Sequence, residues 1–307
     1  MTPAVLGPLA PVVLPDVTDI LVNGPGQVWV DGRGGLRRVA VTALDSEAQV
    51  RQLAQRLAAA GGRRLDDACP WVDVRLPGGI RVHAVLAALC RGGTHVSLRV
   101  PRPAPPRLAE LAARGALSAA TTEVLVTAAA AGEGIVVSGL TGSGKTTLLA
   151  ALLAHVPGDR RIVVVEDAAE LAVAHPHVVH LEARQPNVEG AGGVGLDVLV
   201  RQALRMRPDH LVVGEVRGPE VRDLVSALST GHSGATTVHA GAPGDVPDRI
   251  GQLAEASGLD AAAAVRRFRA AVGVLVHVER DRTGDRRVTG AWGWGSGGRL
   301  LRRDGTP

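Results

Sequence analysis

The stretch from residue 134 to residue 154 constrains the fold more than any other part of the chain. An apolar run, Gly-Ile-Val-Val-Ser at 134–138, turns through Gly139, Leu140, Thr141, Gly142, Ser143 and Gly144 into Lys145-Thr146-Thr147-Leu-Leu-Ala-Ala-Leu-Leu-Ala. A strand that passes through three glycines directly into a helix aims the unsatisfied N–H groups of the helix start at the turn, which makes an anion site out of main chain. Residues 139–146 fit the spacing G-x4-G-K-[ST] in its required strand–loop–helix context. The glycines let the backbone wrap a β-phosphate, Lys145 reaches the outer phosphates, and the Thr146 hydroxyl takes Mg²⁺. The loop, with Thr147 behind it, is therefore read as the cradle of a nucleoside triphosphate.

Composition sharpens that reading. Of 34 basic residues only Lys145 is lysine. In a chain that otherwise uses arginine, the one lysine marks a place where a compact ammonium is needed and a planar guanidinium does not serve. The isoelectric point near 10.2 looks like that of a nucleic-acid binder, but it reflects arginine usage and the lack of tyrosine, since the net charge is only +4 over 307 residues. One phenylalanine and four tryptophans leave few platforms for stacked bases. Nucleic-acid binding through bulk charge is not expected. Cys69 and Cys90 form no CxxC pair and no disulfide framework.

An apolar fraction of 46% with 21% charged residues is that of a core-forming chain, and 307 residues suggest two domains. No apolar run approaches the roughly 18 residues of a membrane span, and the start, MTPAVLGPLAP, lacks a basic leader. A cytoplasmic location is expected, or a peripheral one at the inner face of the plasma membrane. Four prolines in PRPAPPR, residues 101–107, exclude helix interior and central strand and mark a linker. Before it, residues 1–100 alternate short β-type runs with turn clusters around one helical segment at 45–60, capped by Asp45 or Ser46 and stopped by Gly61-Gly62. That reads as a smaller α+β domain. Residues 108–290 alternate continuous Val/Ile runs with helices near 144–154, 195–205 and 218–228, which predicts an α/β domain with a mostly parallel sheet covered on both faces. Residues 291–307 read as a flexible tail.

A phosphate cradle does not hydrolyse anything alone, so a carboxylate that positions water is needed, normally at the end of a neighbouring strand. RIVVVE is followed by Asp167-Ala-Ala-Glu170, which offers Glu166, Asp167 and Glu170, and HLVVG runs into Glu215. Thr146, Asp167 and Glu215 are the candidate metal ligands. Taken singly, acids at strand ends are often helix caps or solvated loop residues. Of the ten histidines, His232 and His239 stand out, in a loop leading into a strand that ends at His239 on the same sheet edge as the acids. Each is otherwise an ordinary core or surface histidine.

The ordered set GLTGSGKTT, VVEDAAEL, LRMRPDHLVVGEVRG and STGHSGATTVHA resembles the secretion-superfamily ATPases of type II and type IV systems and type IV pili, with their Walker A, Asp box, Walker B and His box. RLDDACPWVDVRLPGGIRVHAV and ARQPNVEG are most similar to the tight-adherence (Flp) pilus and conjugal-transfer-associated branch, and the similarity runs from about residue 12 to 280. The resemblance implies a P-loop NTPase of the RecA type that hydrolyses ATP with Mg²⁺, works as a homohexameric ring, and powers protein export or pilin polymerisation through an inner-membrane platform protein. It implies Glu166 and Glu170 as Asp-box acids, Glu215 as the Walker B glutamate, His232 and His239 as the His box, and Arg75 and Arg81 as arginines that approach the nucleotide from the N-terminal domain. A conjugal DNA-transfer ATPase and a nucleotide-gated structural subunit are the alternatives. Departures are the β-type region starting already at residue 17, two cysteines where many relatives carry a four-cysteine zinc insertion, so that no zinc is expected, and Ser233 where relatives commonly place Asp.

Overall fold

The computed structural model describes residues 3–32, 34–100, 105–184, 186, 191–229, 231–281 and 284–305. The chain forms two compact units, Met1–Pro103 and Ala104–Pro307. Of the linker expected at 101–107, residues 101–104 lie outside the described residues.

In the first unit a short helix α1 (Pro3–Leu6) is followed by strands β1 (Asp19–Asn23), β2 (Val28–Asp31) and β3 (Arg37–Val39), helix α2 (Glu47–Ala60), and strands β4 (Trp71–Arg75), β5 (Arg81–Val85) and β6 (His95–Arg99). The strands make one antiparallel sheet in the order β3-β2-β1-β6-β5-β4. Burial alternates along the strands, so one sheet face supplies Ile20, Val22, Val72, Val74, Val82, Val96 and Leu98 to a core completed by Val50, Leu53 and Leu57 of α2. Helix α2 starts with a capping box: the Ser46 hydroxyl accepts the Gln49 N–H, and the Gln49 side chain accepts the Ser46 N–H.

The second unit contains α3 (Leu108–Ala113), α4 (Ala119–Ala131), β7 (Gly134–Gly139), α5 (Lys145–Leu153), β8 (Ile162–Glu166), β9 (Val178–Glu182), α6 (Leu196–Ala203), β10 (His210–Val213), α7 (Glu220–Ser229), β11 (Ser233–His239), α8 (Val246–Ala256), α9 (Ala261–Ala271), β12 (Val272–Arg280), β13 (Arg286–Trp294) and β14 (Leu300–Arg302). Its sheet runs β14-β13-β12-β7-β11-β10-β8-β9, parallel from β12 to β9 and antiparallel at β13 and β14. Strands β7, β8 and β10 are buried along their whole length because both faces are covered. Ile135, Val137 and Val164 pack with α4 and α5 on one side, while Val136, Val163 and Leu211 pack with α6, α7, α8 and Phe268 of α9 on the other. This is the doubly covered α/β sheet expected from the Val/Ile runs.

The tail expected at 291–307 is not loose over its described part. Strand β13 runs through residue 294 and β14 pairs with it, which covers backbone that would otherwise be an open sheet edge. Asp304 follows, 5% exposed, and accepts the Thr121 hydroxyl at 2.9 Å, the Ala291 N–H at 3.2 Å and Arg302 Nε at 2.8 Å, while the Arg302 guanidinium lies over Trp292. A buried carboxylate with three donors cannot leave without exposing all of them to an apolar site.

Burial holds the imidazoles of His180, His210, His239 and His277, all in the second unit, below their ordinary value near 6.5. Below that ordinary value the unfolded chain takes up protons that the folded unit refuses, so their contribution is complete above about pH 6.5 and is lost as the pH falls toward the folded-state values. The urea midpoint of the chain is expected to change little above about pH 7 and to fall from there to pH 5.5, and His277→Asn is expected to flatten part of that slope. A midpoint independent of pH over this range contradicts the assignment.

Candidate nucleotide-binding site

The loop between β7 and α5 lies at the carboxyl edge of the parallel strands, where side chains from neighbouring strand ends converge. Gly139 has φ 152°, and a Cβ there would stand 2.3 Å from the carbonyl oxygen of Val278 on β12, so only glycine lets the loop leave the sheet this close to its neighbour. Gly144 caps α5 in the left-handed conformation. Ser143 is 1% exposed, and its hydroxyl is buried in the loop without a hydrogen-bond partner. A buried orphan hydroxyl beside a helix N-terminus fits a loop built around an anion.

Lys145 is 7% exposed and donates from Nζ to the Leu140 carbonyl at 3.0 Å and to Nδ1 of His239 at 3.4 Å. Burial lowers its pKa, and the nearby Glu215 carboxylate partly restores it. His239 continues the line, with Nε2 2.6 Å from Glu215 Oε1. An ammonium donor on Nδ1 and a carboxylate acceptor on Nε2 are both satisfied by the neutral imidazole carrying its proton on Nε2. Burial, and then the Lys145 charge, lower the His239 pKa and outweigh the opposing pull of Glu215, with Arg249 and Arg217 adding further positive potential. Glu215 is in turn positioned by its neighbours, since the Thr237 hydroxyl donates to Gly214 O at 2.7 Å and the Val216 N–H to Thr237 O at 3.0 Å. Lys145 at the start of α5, His239 at the end of β11 and Glu215 after β10 thus form one hydrogen-bonded row.

Other expected site residues are placed differently. Glu166 is 5% exposed, and its Oε1 accepts the N–H groups of Glu170 and Leu171, both at 2.9 Å, with His180 Nδ1 4.0 Å from Oε2. Through Oε1 it braces the turn after β8. Asp167 is ion-paired with Arg217. Glu170 is solvent-exposed at the end of that turn. His232 precedes the first residue of β11, whereas His239 ends it, so the two are separated by the length of the strand, about 20 Å at 3.3 Å per residue. His232 therefore lies on the opposite rim from the loop. The residue after it, Ser233, donates to Gly132 O at 2.6 Å and contacts His210 Nδ1 at 2.9 Å.

Arg75 and Arg81 belong to the first unit, where they face each other across β4 and β5. Arg81 in turn faces Arg99 of β6, and Arg99 faces Asp19 of β1. Neighbouring residues on these strands point into the core, so the three guanidinium groups share the sheet face away from α2. Asp19 Oδ1 lies 3.4 Å from Arg99 Nε, so the row carries one carboxylate of its own. Arg99 escaped the sequence reading because only strand pairing puts it beside the other two; Arg249 and Arg286, which reach the second unit's site from α8 and β13, escaped it for the same reason.

Comparison with known proteins matches this chain to secretion proteins. The family described as Type II/IV secretion system protein matches residues 4–276. A Mycobacterium tuberculosis protein, Rv3659c, whose name assigns it provisionally to conjugal transfer, is 55% identical over 290 residues, 92% of this chain and 82% of that one. Type IV secretion system protein PtlH of Bordetella pertussis is 35% identical over 254 residues, 73% of each chain. The fold is similar to that of the Legionella pneumophila ATPase DotB, with a TM-score of 0.63 at 21% identity over 89% of this chain and 75% of that one.

Glu166 and Glu215 are expected to separate by stability. Glu166→Ala deprives two backbone N–H groups of their acceptor and should cost about 2 kcal/mol in urea unfolding. Glu215→Gln keeps an acceptor for His239 and loses only the charge, at a distance, so it should cost less than Glu166→Ala. The reverse ranking would sink the bracing role of Glu166.

Proposed function

The chain belongs to the Type II/IV secretion system protein family, and from that premise we propose that it is an ATP-hydrolysing motor subunit that powers protein export or pilin polymerisation. The row from Lys145 through His239 to Glu215 carries this reading.

In the proposed reaction, ATP and water give ADP and phosphate. The loop N–H groups of residues 140–146 and the Lys145 ammonium bind the terminal phosphates. Lys145 gives up weak partners for them, a carbonyl and an imidazole nitrogen, and the burial that lowers its pKa strengthens its pull on an anion. Glu215 orients the attacking water and takes its proton, and His239 holds the glutamate through Nε2–H. Mg²⁺ suits the Thr146 hydroxyl with Glu215 nearby and would supply charge neutralisation on the phosphates. Asp167 acts at one remove, through Arg217, and Glu166 shapes the turn that carries Glu170.

The arginine row offers further cationic groups that can be brought to the transferred phosphate from outside. Arg75, Arg81 and Arg99 are proposed to meet the nucleotide across a subunit boundary in a homohexameric ring, so that turnover moves the units. The output acts on an inner-membrane platform protein at the cytoplasmic face; among the described residues no helix is long and apolar enough to cross a membrane.

Two sets of measurements test this reading. Lys145→Ala should abolish binding of a fluorescent ATP analogue, while Glu215→Gln should bind it and release no phosphate. Hydrolysis unchanged in both removes the assignment, and binding with no hydrolysis in the wild type under any condition moves it to a nucleotide-gated structural subunit. Replacing Arg81 or Arg99 by Ala should leave nucleotide affinity within a few-fold and lower kcat by about 10³ or more. Full turnover in both variants would show that the row serves another anion.

A further inference from the structure

The hairpin of β12 and β13 delivers an arginine onto the phosphate loop, and the proposed reaction makes no use of it. Val278 of β12 aligns with Gly139, the first residue of the loop, and the pairing of Arg280 with Arg286 carries the hairpin past the sheet edge. There Arg286 Nε donates to the Gly142 carbonyl at 3.1 Å. Its aliphatic stem occupies the space beside Gly144, where a Cβ would stand 2.9 Å from Arg286 Cδ. At Gly142 itself, with φ 73°, a Cβ would meet nothing within 4 Å, so the arginine holds the peptide's carbonyl on a side that no side chain packs.

The peptide joining Gly142 and Ser143 is trans, so its C=O and N–H point in opposite directions. The Ser143 N–H is aimed at the Leu140 carbonyl at 3.3 Å, the same oxygen that accepts the Lys145 ammonium at 3.0 Å. That oxygen marks the inner side of the loop, and Arg286 grips the same peptide from the outer side. We propose that Arg286 is a positioning residue for phosphate recognition: by holding the Gly142 carbonyl outward it keeps the Ser143 N–H turned inward, toward the place of the phosphates. The hairpin thereby sets the affinity of a loop to which it contributes no ligand. The consequence for affinity rests on the nucleotide reading; the control of the loop does not.

The test uses the full chain and the variants Arg286→Ala, Arg286→Met and Arg286→Lys. Met keeps the stem that packs on Gly144 and removes the donor, whereas Lys keeps a donor. With a fluorescent ADP, Ala and Met should bind about tenfold more weakly than the wild type, and Lys within about threefold of it, at unchanged melting temperature. Hydrogen exchange of the loop amides, read without nucleotide, should be faster in Ala and Met and near the wild-type rate in Lys. Wild-type exchange in Met, or Lys behaving like Met in both measurements, overturns the proposal. If the wild type itself fails to bind and Lys145→Ala is no different, the nucleotide reading falls, while the exchange rates still decide whether Arg286 orders the loop.

Discussion

A single buried ammonium organises the second unit's site. Lys145 sits where water is nearly excluded, and its two partners in the chain are a carbonyl and a neutral ring nitrogen, neither of which neutralises its charge. Glu215, two hydrogen bonds away through His239, supplies the balancing charge at a distance. A cation held so weakly is poised for an anion of higher charge, and the glycines around it leave the main chain free to supply further donors. Arginine in this position would be bulkier and would claim planar, bidentate partners that the loop does not offer.

The sheet makes that arrangement possible. Because β7, β11, β10 and β8 are parallel, all their carboxyl ends open on one edge, and residues distant in sequence meet there without long connections. The same rule separates the two histidines, since one ends β11 and the other precedes it. Gly139 and Gly214 permit the close approach on which the edge depends, the first against the Val278 carbonyl and the second against the Glu166 side chain, each of which a Cβ would strike. The β12–β13 hairpin then closes the loop from the outside, and the charged network of Arg302, Asp304 and Thr121 anchors the strands behind it.

Much of this was legible in the sequence because it is local. Continuous Val/Ile runs bounded by glycine fixed the buried parallel strands, and G-x4-GKT between a strand and a helix located the loop. Helix α4, AATTEVLVTAAAA, was missed because its alanines and short apolar residues carry no polar face and so no helical period. Strand β9 was missed because an edge strand with two of its five residues exposed and none buried lacks the apolar run of its neighbours. The tail was misread because GSGGRLLRRDG shows turn residues and charges, while the buried carboxylate that pins it becomes visible only with its partners.

The sequence by itself determined the strands, the phosphate loop, the single lysine and the supply of acids and histidines, since each is set by neighbours along the chain. Tertiary structure alone decided which of these meet. It joined His239 to Glu215 and sent His232 to the far rim, turned Glu166 into a brace, lined up Arg99 with Arg75 and Arg81, and laid Arg286 on the loop. Strand order and register set these outcomes, and both arise from burying two faces of a sheet at once, a condition on the whole chain that no short window of residues records.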